Sequence, residues 1–134
     1  AGEFTAAMKA VGIDCIFLLA PTSDAARMRM VSEAASGFIY YVSFKGVTGA
    51  NRLDISSVSS KLKELRQHSE LPVGVGFGIR DAESAARVAG IADAVVVGSV
   101  LVGQLAKLAG QPEKIPPALA ATVAELRTAI DRRP

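Results

Sequence analysis

Short apolar runs alternate with helix-like patterns along this chain. Four of the runs are bounded by turn signals, are mostly rich in β-branched or aromatic residues, and show little alternation between apolar and polar positions. Such continuous runs are typical of parallel strands that are covered on both faces. The pattern predicts strands at Cys15–Ala20, Phe38–Ser43, Pro72–Phe77 and Asp93–Ser99.

Amphipathic helical patterns fill the intervals between these runs. Apolar side chains recur at helical spacing, as at Met28, Val31 and Ala35, and again at Val58, Leu62 and Leu65. The residues before the first strand have the pattern of a helix already under way, so we expect a fragment or a processed chain. Helices are predicted at Thr22–Ser36 with Thr22 or Ser23 as N-cap, at Asp54–His68, at Asp81–Gly90, from Ser99 directly after the fourth strand, and at Pro116–Ile130.

One helix followed by four strand–helix units predicts an α/β fold with parallel strands. A doubly wound open sheet and a (β/α)₈ TIM barrel both begin with such right-handed units. Glycine-bearing loops at the carboxyl ends of consecutive strands, and an extra helix after the last strand, favour the barrel. A whole barrel needs about 250 residues, and the chain has 134. We therefore predict that residues 1–134 are the C-terminal half of a barrel, comprising β/α units five to eight preceded by the end of helix four.

Composition excludes several function classes. The net charge is only +2 and acids and bases are interspersed, which argues against a nucleic-acid-binding face. Cys15 is the single cysteine, so a reducing, cytoplasmic location is expected, with this side chain buried as a small apolar group. His68 is the single histidine and is expected on the surface at a helix end, so no zinc site is predicted. No apolar run has the length of a membrane span, and no membrane association is expected.

Three glycine-bearing loops are the strongest chemical signal. They lie at Gly46–Ala50, Gly76–Asp81 and Val96–Gly103, each at the carboxyl end of a predicted strand. Glycine lets backbone N–H groups approach a ligand, and a helix N-terminus offers unpaired N–H donors to an anion. Together the loops predict a phosphate site. Each glycine alone has a simpler interpretation: Gly49 as a turn residue, Gly78 as a strand-to-helix bend and Gly98 as a packing glycine.

Other phosphate and nucleotide motifs are not supported. The stretch GVGFGI lacks the spacing of the dinucleotide fingerprint and an acidic residue about 20 positions further on at a second strand end. The phosphate-binding G-x-x-x-x-G-K-[ST] motif does not occur. Lys45 is a candidate Schiff-base or phosphate lysine, although a solvent-facing side chain is the simpler interpretation.

The stretches YYVSFKGVTGA, LPVGVGFGI and ADAVVVGSVLV occur in this order and at the spacing of one known family. The chain resembles the tryptophan synthase alpha subunit family over essentially its whole length from Cys15 onward. The resemblance implies a (β/α)₈ lyase of tryptophan biosynthesis that cleaves indole-3-glycerol phosphate to indole and glyceraldehyde 3-phosphate. It also implies an alpha2beta2 complex whose beta subunit carries pyridoxal phosphate, while the alpha chain carries no cofactor.

The resemblance also assigns roles to individual residues. It implies that Tyr40 faces the barrel mouth near the glycerol chain of the substrate and that Phe77 lines the indole pocket. Thr48 would orient a catalytic carboxylate. The substrate phosphate would be held by Gly49, Gly78, Gly98 and Ser99.

The resemblance places the catalytic glutamate and aspartate in the amino-terminal half of the family's barrel. No catalytic residue is therefore expected in this chain, and the chain alone is expected to be inactive. One departure concerns the loop after the second strand, because Phe44 stands where some relatives carry arginine. Closure of that loop is accordingly less firmly implied.

Two other functions remain as alternatives. Another phosphate-binding barrel, such as an indole-glycerol-phosphate synthase or a phosphoribosyl isomerase, would lack the Gly-Val-Thr-Gly loop. The second alternative is a non-catalytic half-barrel module that associates with another copy of itself. In every case a half-barrel exposes two edge strands and an apolar inner face. We therefore expect the missing amino-terminal half, or a second copy of the chain, to cover them.

Overall fold

The computed structural model describes residues 2–43, 54–76 and 78–132. All four predicted strands are present, although each is shorter than its apolar run. The elements are α1 (Gly2–Ala10), β1 (Phe17–Leu19), α2 (Ala25–Ala34), β2 (Ile39–Val42), α3 (Ile55–Leu65), β3 (Val73–Gly76), α4 (Ala82–Ala89), β4 (Ala94–Val96), α5 (Ser99–Lys107), a 3₁₀ turn (Pro112–Lys114) and α6 (Ile115–Asp131).

The strands form one parallel sheet whose spatial order follows the chain, β1-β2-β3-β4. A doubly wound sheet reverses its strand order at a switch point, whereas a barrel does not. The four described strands show no reversal, so the structure matches one half of a (β/α)₈ barrel. Two rows of paired residues run across the sheet: Leu18, Tyr40, Gly74 and Ala94 in the first, and Val42, Gly76 and Val96 in the second.

The helices cover one face of the sheet and form the core with it. Strand residues that point toward the helices, such as Ile39, Tyr41 and Val75, are fully buried. The predicted apolar stripes of two helices are confirmed, because each contributes to this core. Its helical members include Met28 and Val31 from α2, Val58, Leu62 and Leu65 from α3, and Ala85 and Val88 from α4. Full burial of each large side chain contributes about 1.5–3 kcal/mol of transfer free energy.

The other face of the sheet is not covered by helices, as expected for the inner face of a half-barrel, although the apolar runs alone suggested strands covered on both faces. Leu18 on β1 is 58% exposed and Val96 on β4 is 36% exposed. Tyr40 and Val42 on β2 are partly buried, and Ala94 is exposed. The interior of a TIM barrel is filled by side chains from all eight strands, and the described part of this chain contributes four. These five residues are called the bare face below.

Polar side chains cap the starts of α2 and α3, but the N-cap of α2 differs from the predicted one. The N-cap of α2 is Asp24, not Thr22 or Ser23, because its carboxylate accepts a hydrogen bond from the Arg27 N–H at 2.8 Å. The Ser23 hydroxyl instead accepts a hydrogen bond from the Ala20 N–H at 3.0 Å. Asp54, the first residue of the predicted helix Asp54–His68, is the N-cap of α3, and its carboxylate accepts hydrogen bonds from two N–H groups.

The amino ends of β3 and β4 are tied together by one carboxylate. Asp93 accepts hydrogen bonds from the buried Val73 N–H at 2.8 Å and from the Arg66 guanidinium at 3.3 Å. The Asp93 N–H donates to the Val73 carbonyl at 3.0 Å. This network lies at the end of the sheet opposite the glycine loops. Asp93 therefore stabilises the strand entrances and does not reach the candidate site.

The single cysteine, Cys15, and the single histidine, His68, lie away from the carboxyl ends of the strands. Cys15 was expected to be buried, but its side chain is partly exposed just before β1. Its backbone carbonyl accepts a hydrogen bond from the Ser36 N–H, and its N–H donates to the Ser36 hydroxyl, both at 3.0 Å. His68 lies in the turn after α3 and is partly buried.

Candidate functional site

The carboxyl ends of β2, β3 and β4 lie side by side. Val42 pairs with Gly76, and Gly76 pairs with Val96, at the last residue of each strand. Because adjacent strands lie about 4.8 Å apart, the three loops leave the sheet within about 10 Å of one another. The carboxyl ends of the three strands from which these loops start therefore share one edge, as expected. We call this edge, with the segments that follow the three strands, the carboxyl rim.

Gly78 has the left-handed backbone conformation that favours glycine. Its φ is +80°, and a Cβ placed on it would have no neighbour within 4 Å. The next residue, Ile79, is buried in the core and anchors the segment. Gly78 is therefore the strand-to-helix bend that was the simpler interpretation, and it also leaves exposed backbone at the rim.

Gly98 and Ser99 form the uncapped start of α5. Gly98 is the N-cap residue and no side chain caps the helix. Nothing lies within 4 Å of a Cβ built on Gly98, so it is not a packing glycine. Both residues are exposed. A helix start without a side-chain cap offers backbone N–H donors and the positive end of the helix dipole to an anion.

Tyr40 lies on the bare face, with its ring over the backbone of Gly76. A Cβ on Gly76 would lie 2.8 Å from the Tyr40 Cζ and 3.1 Å from Cε2, and would overlap the hydroxyl oxygen. Sequence reasoning missed this role for Gly76. A glycine inside a strand often marks such a close approach, and that signal was available. Gly76 thus allows the Tyr40 phenol to lie close to the carboxyl rim.

Ser43 joins the ends of two strands at the rim. The Gly76 carbonyl accepts hydrogen bonds from the Ser43 N–H at 3.0 Å and from the Ser43 hydroxyl at 2.9 Å. Both bonds hold the chain where it leaves β2 against the end of β3. The loops after these strands therefore begin from fixed and adjacent positions.

Asp81 fixes the start of α4, three residues after Gly78. Its carboxylate accepts a hydrogen bond from the Ser84 N–H at 2.8 Å, and the Ser84 hydroxyl accepts one from the Asp81 N–H at 3.2 Å. The hydrogen bonds from Ser84 hold the pKa of the Asp81 carboxyl below its usual value, the backbone bond contributing most. Asp81 is therefore a capping residue.

Several predicted site residues lie outside the described residues. These are Thr48 and Gly49 of the loop after β2, with Phe44, Lys45 and Gly46 in the same loop, and Phe77 after β3. Their roles remain predictions. Of the predicted residues that the structure does describe, Gly78, Gly98 and Ser99 lie at the carboxyl rim, and Tyr40 lies on the bare face beside it.

The described ranges contain no group of three or more His, Cys, Asp or Glu side chains that could hold a metal ion. Within the same ranges, no helix has the length and apolar character needed to cross a membrane. The described residues of the rim offer backbone N–H groups, the hydroxyls of Ser43 and Ser99, and an adjacent phenol. That set suits an oxygen-rich anion.

Comparison with known proteins identifies one family. The family model for the tryptophan synthase alpha chain matches residues 1–131. The alpha chain of Thioalkalivibrio sulfidiphilus is 55% identical over 124 residues, which cover 92% of this chain and 47% of the relative. The alpha chain of Burkholderia pseudomallei is 57% identical over 129 residues, which cover 96% of this chain and 47% of the relative.

Solved structures show the same correspondence. The tryptophan synthase subunit alpha of Legionella pneumophila superposes with a TM-score of 0.80 at 31% identity, covering 96% of this chain and 47% of that chain. A tryptophan synthase structure from Mycobacterium tuberculosis superposes with a TM-score of 0.77 at 36% identity, covering 96% and 46%. The chain therefore spans about half the length of the relatives that it matches.

Proposed function

The chain belongs to the tryptophan synthase alpha chain family, and we propose that it supplies the phosphate- and indole-binding half of a carbon–carbon lyase. The parent reaction is the cleavage of indole-3-glycerol phosphate to indole and glyceraldehyde 3-phosphate in tryptophan biosynthesis. In this proposal residues 1–134 are the last four β/α units of the barrel, preceded by the end of helix four. The match over residues 1–131 is the observation that carries the proposal, and it favours this lyase over other phosphate-binding barrels.

The substrate phosphate binds at the carboxyl rim in this proposal. Gly78 and Gly98 have open space where a side chain would stand, so their backbone can approach a phosphate closely. The Ser99 hydroxyl and the first-turn N–H groups of α5 add donors, and Gly49 supplies another loop. Several N–H groups and a helix dipole hold a dianion without a lysine or arginine.

The rest of the substrate lies over the bare face. Tyr40 contacts the glycerol chain, and Phe77 lines the indole pocket. The apolar Leu18 and Val96 lie on the same inner face as Tyr40, where they can contribute to a pocket that excludes water. Thr48 orients a carboxylate contributed by the other half of the barrel.

The acid and base of the reaction come from that other half. One group must protonate the ring carbon of indole, and another must take a proton from a glycerol hydroxyl. Asp81 caps α4 and Asp93 lies at the opposite end of the sheet, so neither is placed for these steps. The chain alone is inactive in this account and needs no cofactor. Its parent binds a beta subunit, which carries pyridoxal phosphate, in a cytoplasmic alpha2beta2 complex.

Complementation tests the proposal. The chain is mixed with the amino-terminal half of the Thioalkalivibrio sulfidiphilus alpha chain, and indole release from indole-3-glycerol phosphate is measured. We expect no turnover by the chain alone and turnover by the mixture. Turnover by the pure chain would contradict the assignment of the carboxylates. A 1:1 complex without turnover would contradict the lyase assignment.

A pair of matched variants tests the phosphate site in the same assay. Gly98→Asp places a carboxylate at the helix start, where it repels a phosphate. Gly103→Asp changes a glycine of the same helix that also has no neighbour within 4 Å of a Cβ. We expect Gly98→Asp to raise KM at least about 10-fold, corresponding to 1.4 kcal/mol or more, and Gly103→Asp to leave KM unchanged. Equal effects of the two variants would argue against phosphate binding at Gly98.

A further inference from the structure

Helix α5 carries the proposed phosphate donors in its first turn, yet its own residues do little to fix its direction. None of them is buried, whereas α3 and α4 each contribute three buried residues to the core. The helix has nine residues and contains Gly103, and so short a helix with an internal glycine has little stability of its own. The direction of its first turn therefore depends on the element against which α5 packs.

That element is α6, the main neighbour of α5 among the described elements. Helix α6 is itself anchored, because it packs extensively on α4 and buries Leu126 in the core. Ile130, one turn further along, also packs against the core. Helix α6 is thus a fixed support, and its contacts with α5 set the direction of the shorter helix.

One side-chain hydrogen bond joins the two helices within residues 78–132. The Gln104 Nε2–H donates to the Thr122 Oγ1 at 2.6 Å, and the Thr122 hydroxyl donates to the Ala118 carbonyl at 3.2 Å. A hydroxyl has a single proton, and the bond to Ala118 uses it, so the Thr122 oxygen is left to accept from α5. Both side chains are partly buried, which limits competition from water.

The same glutamine contributes little to stability. Its Oε1 is buried and has no hydrogen-bond partner among the described residues. The cost of a buried acceptor without a partner offsets much of what the bond from Nε2 contributes. A side chain that joins two helices at one point, and adds little stability, is suited to fixing their relative geometry.

We propose that Gln104 and Thr122 are positioning residues, which hold the first turn of α5 in the direction that phosphate binding requires. Gln104 lies five residues after Ser99, about 7.5 Å along the helix axis. A tilt of α5 about its contact with Thr122 therefore moves the N–H groups of the first turn. The inference rests on the proposed phosphate site and adds to it two residues that touch no substrate.

Binding of glycerol phosphate to the ¹⁵N-labelled chain, followed at the Ser99 amide, tests the proposal. Gln104→Met removes the donor and Thr122→Val removes the acceptor, while each keeps a side chain of similar size. We expect each variant to raise Kd about 3- to 10-fold, the range that the loss of one hydrogen bond corresponds to. Thr122→Ser keeps the hydroxyl and should bind as the unmodified chain does.

The matched control is Thr128→Val on the same helix. The Thr128 hydroxyl also donates to a carbonyl four residues earlier, at 2.8 Å, but it is exposed and bonds nothing on α5. Thr128→Val should leave Kd unchanged. An equal loss of affinity in Thr128→Val and Thr122→Val would overturn the proposal.

Urea unfolding separates positioning from a merely structural role. Because Gln104→Met also removes the unpaired Oε1, its unfolding midpoint should equal or exceed that of the unmodified chain while its affinity falls. The double variant with Thr122→Val should bind as weakly as either single variant, since the same bond is lost. A lowered midpoint with unchanged affinity, or additive losses of affinity in the double variant, would overturn the proposal.

The variant Gly98→Asp distinguishes failure of this inference from failure of the phosphate site. Equal binding of glycerol phosphate by the unmodified chain and Gly98→Asp, or binding by neither, would contradict the site and overturn this inference with it. Loss of binding in Gly98→Asp with full binding in Gln104→Met would leave the site standing and overturn the positioning roles alone.

Discussion

Replacing Gly76 with alanine places a methyl group in the space that the Tyr40 phenol occupies. The new Cβ would lie 2.8 Å from the Tyr40 Cζ and 3.1 Å from Cε2, well inside van der Waals contact, and would overlap the hydroxyl. The ring must therefore move away from β3. Overpacking of this kind costs roughly 1–3 kcal/mol. We expect about 1–2 kcal/mol, because Tyr40 is only partly buried on the bare face and its ring can turn outward.

A double-mutant cycle measures this effect. Unfolding in urea is followed for the unmodified chain, Gly76→Ala, Tyr40→Ala and the double variant. Removal of the ring removes the clash, so Gly76→Ala should cost little or nothing in the Tyr40→Ala background. The coupling energy should be at least about 1 kcal/mol, which is above the usual error of additivity.

The control for the cycle is Gly74→Ala on the same strand. Its nearest neighbour is the Phe38 Cε2 at 3.3 Å, so a small shift of that ring accommodates the methyl group. We expect Gly74→Ala to cost less than Gly76→Ala. A Gly76→Ala variant as stable as the unmodified chain, or a coupling energy near zero with Tyr40→Ala, would refute the proposed contact.

Three further predictions concern the described residues around the sheet. Gly78→Ala should lower the free energy of unfolding by about 1 kcal/mol. The cost comes from backbone strain alone, since φ at Gly78 is +80° and a Cβ there would have no neighbour within 4 Å. An unchanged free energy of unfolding in urea would contradict that conformation. Asp93→Ala should lower the free energy of unfolding by about 1–3 kcal/mol, because the buried Val73 N–H loses its acceptor. Asp93→Asn keeps an oxygen at this position and should cost less. Equal losses of stability in the two variants would argue against the hydrogen bond. The lowered pKa of Asp81 stabilises the fold above the unfolded carboxyl pKa of about 3.9, and this contribution is lost as the pH falls through the folded value. Between pH 7 and pH 3 the unmodified chain should therefore lose more stability than Asp81→Asn does, and parallel losses would contradict the assignment.

The sequence was sufficient to predict the order of the strands and helices and the common edge at which β2, β3 and β4 end. Apolar runs without alternation marked every strand, and parallel connections forced their carboxyl ends to one side. The exact N-cap of α2 was not predictable, because Thr22, Ser23 and Asp24 are all capping residues in sequence. The choice depends on which oxygen reaches the Arg27 N–H and on the use of the Ser23 hydroxyl by Ala20.

Contacts between strands account for what the sequence did not show. Tyr40 is in register with Gly74, yet its ring leans diagonally onto Gly76. Such diagonal contacts depend on the register and on the rotamer, and neither is written in a linear pattern. The apolar runs alone suggested strands covered on both faces, and only the half-barrel interpretation predicted the exposed inner face, because an apolar run does not reveal whether the surface opposite it belongs to the same chain.

The proposed phosphate site follows from backbone geometry more than from side chains. Gly78 and Gly98 face open space, and α5 begins without a side-chain cap. A site of this kind is insensitive to most surface charge substitutions but sensitive to any side chain that fills the rim. In this proposal a chain with a small net charge binds a dianion through its backbone.

An NMR titration of the ¹⁵N-labelled chain with glycerol phosphate tests the central claim most directly. The account predicts that the amide resonances of Gly78 and Ser99 shift together and saturate with one affinity, and that Gly98→Asp abolishes these shifts while Gly103→Asp preserves them. Shifts confined to exposed lysines and arginines, or separate affinities for the two amides, would show that the loops at the rim do not share one anion.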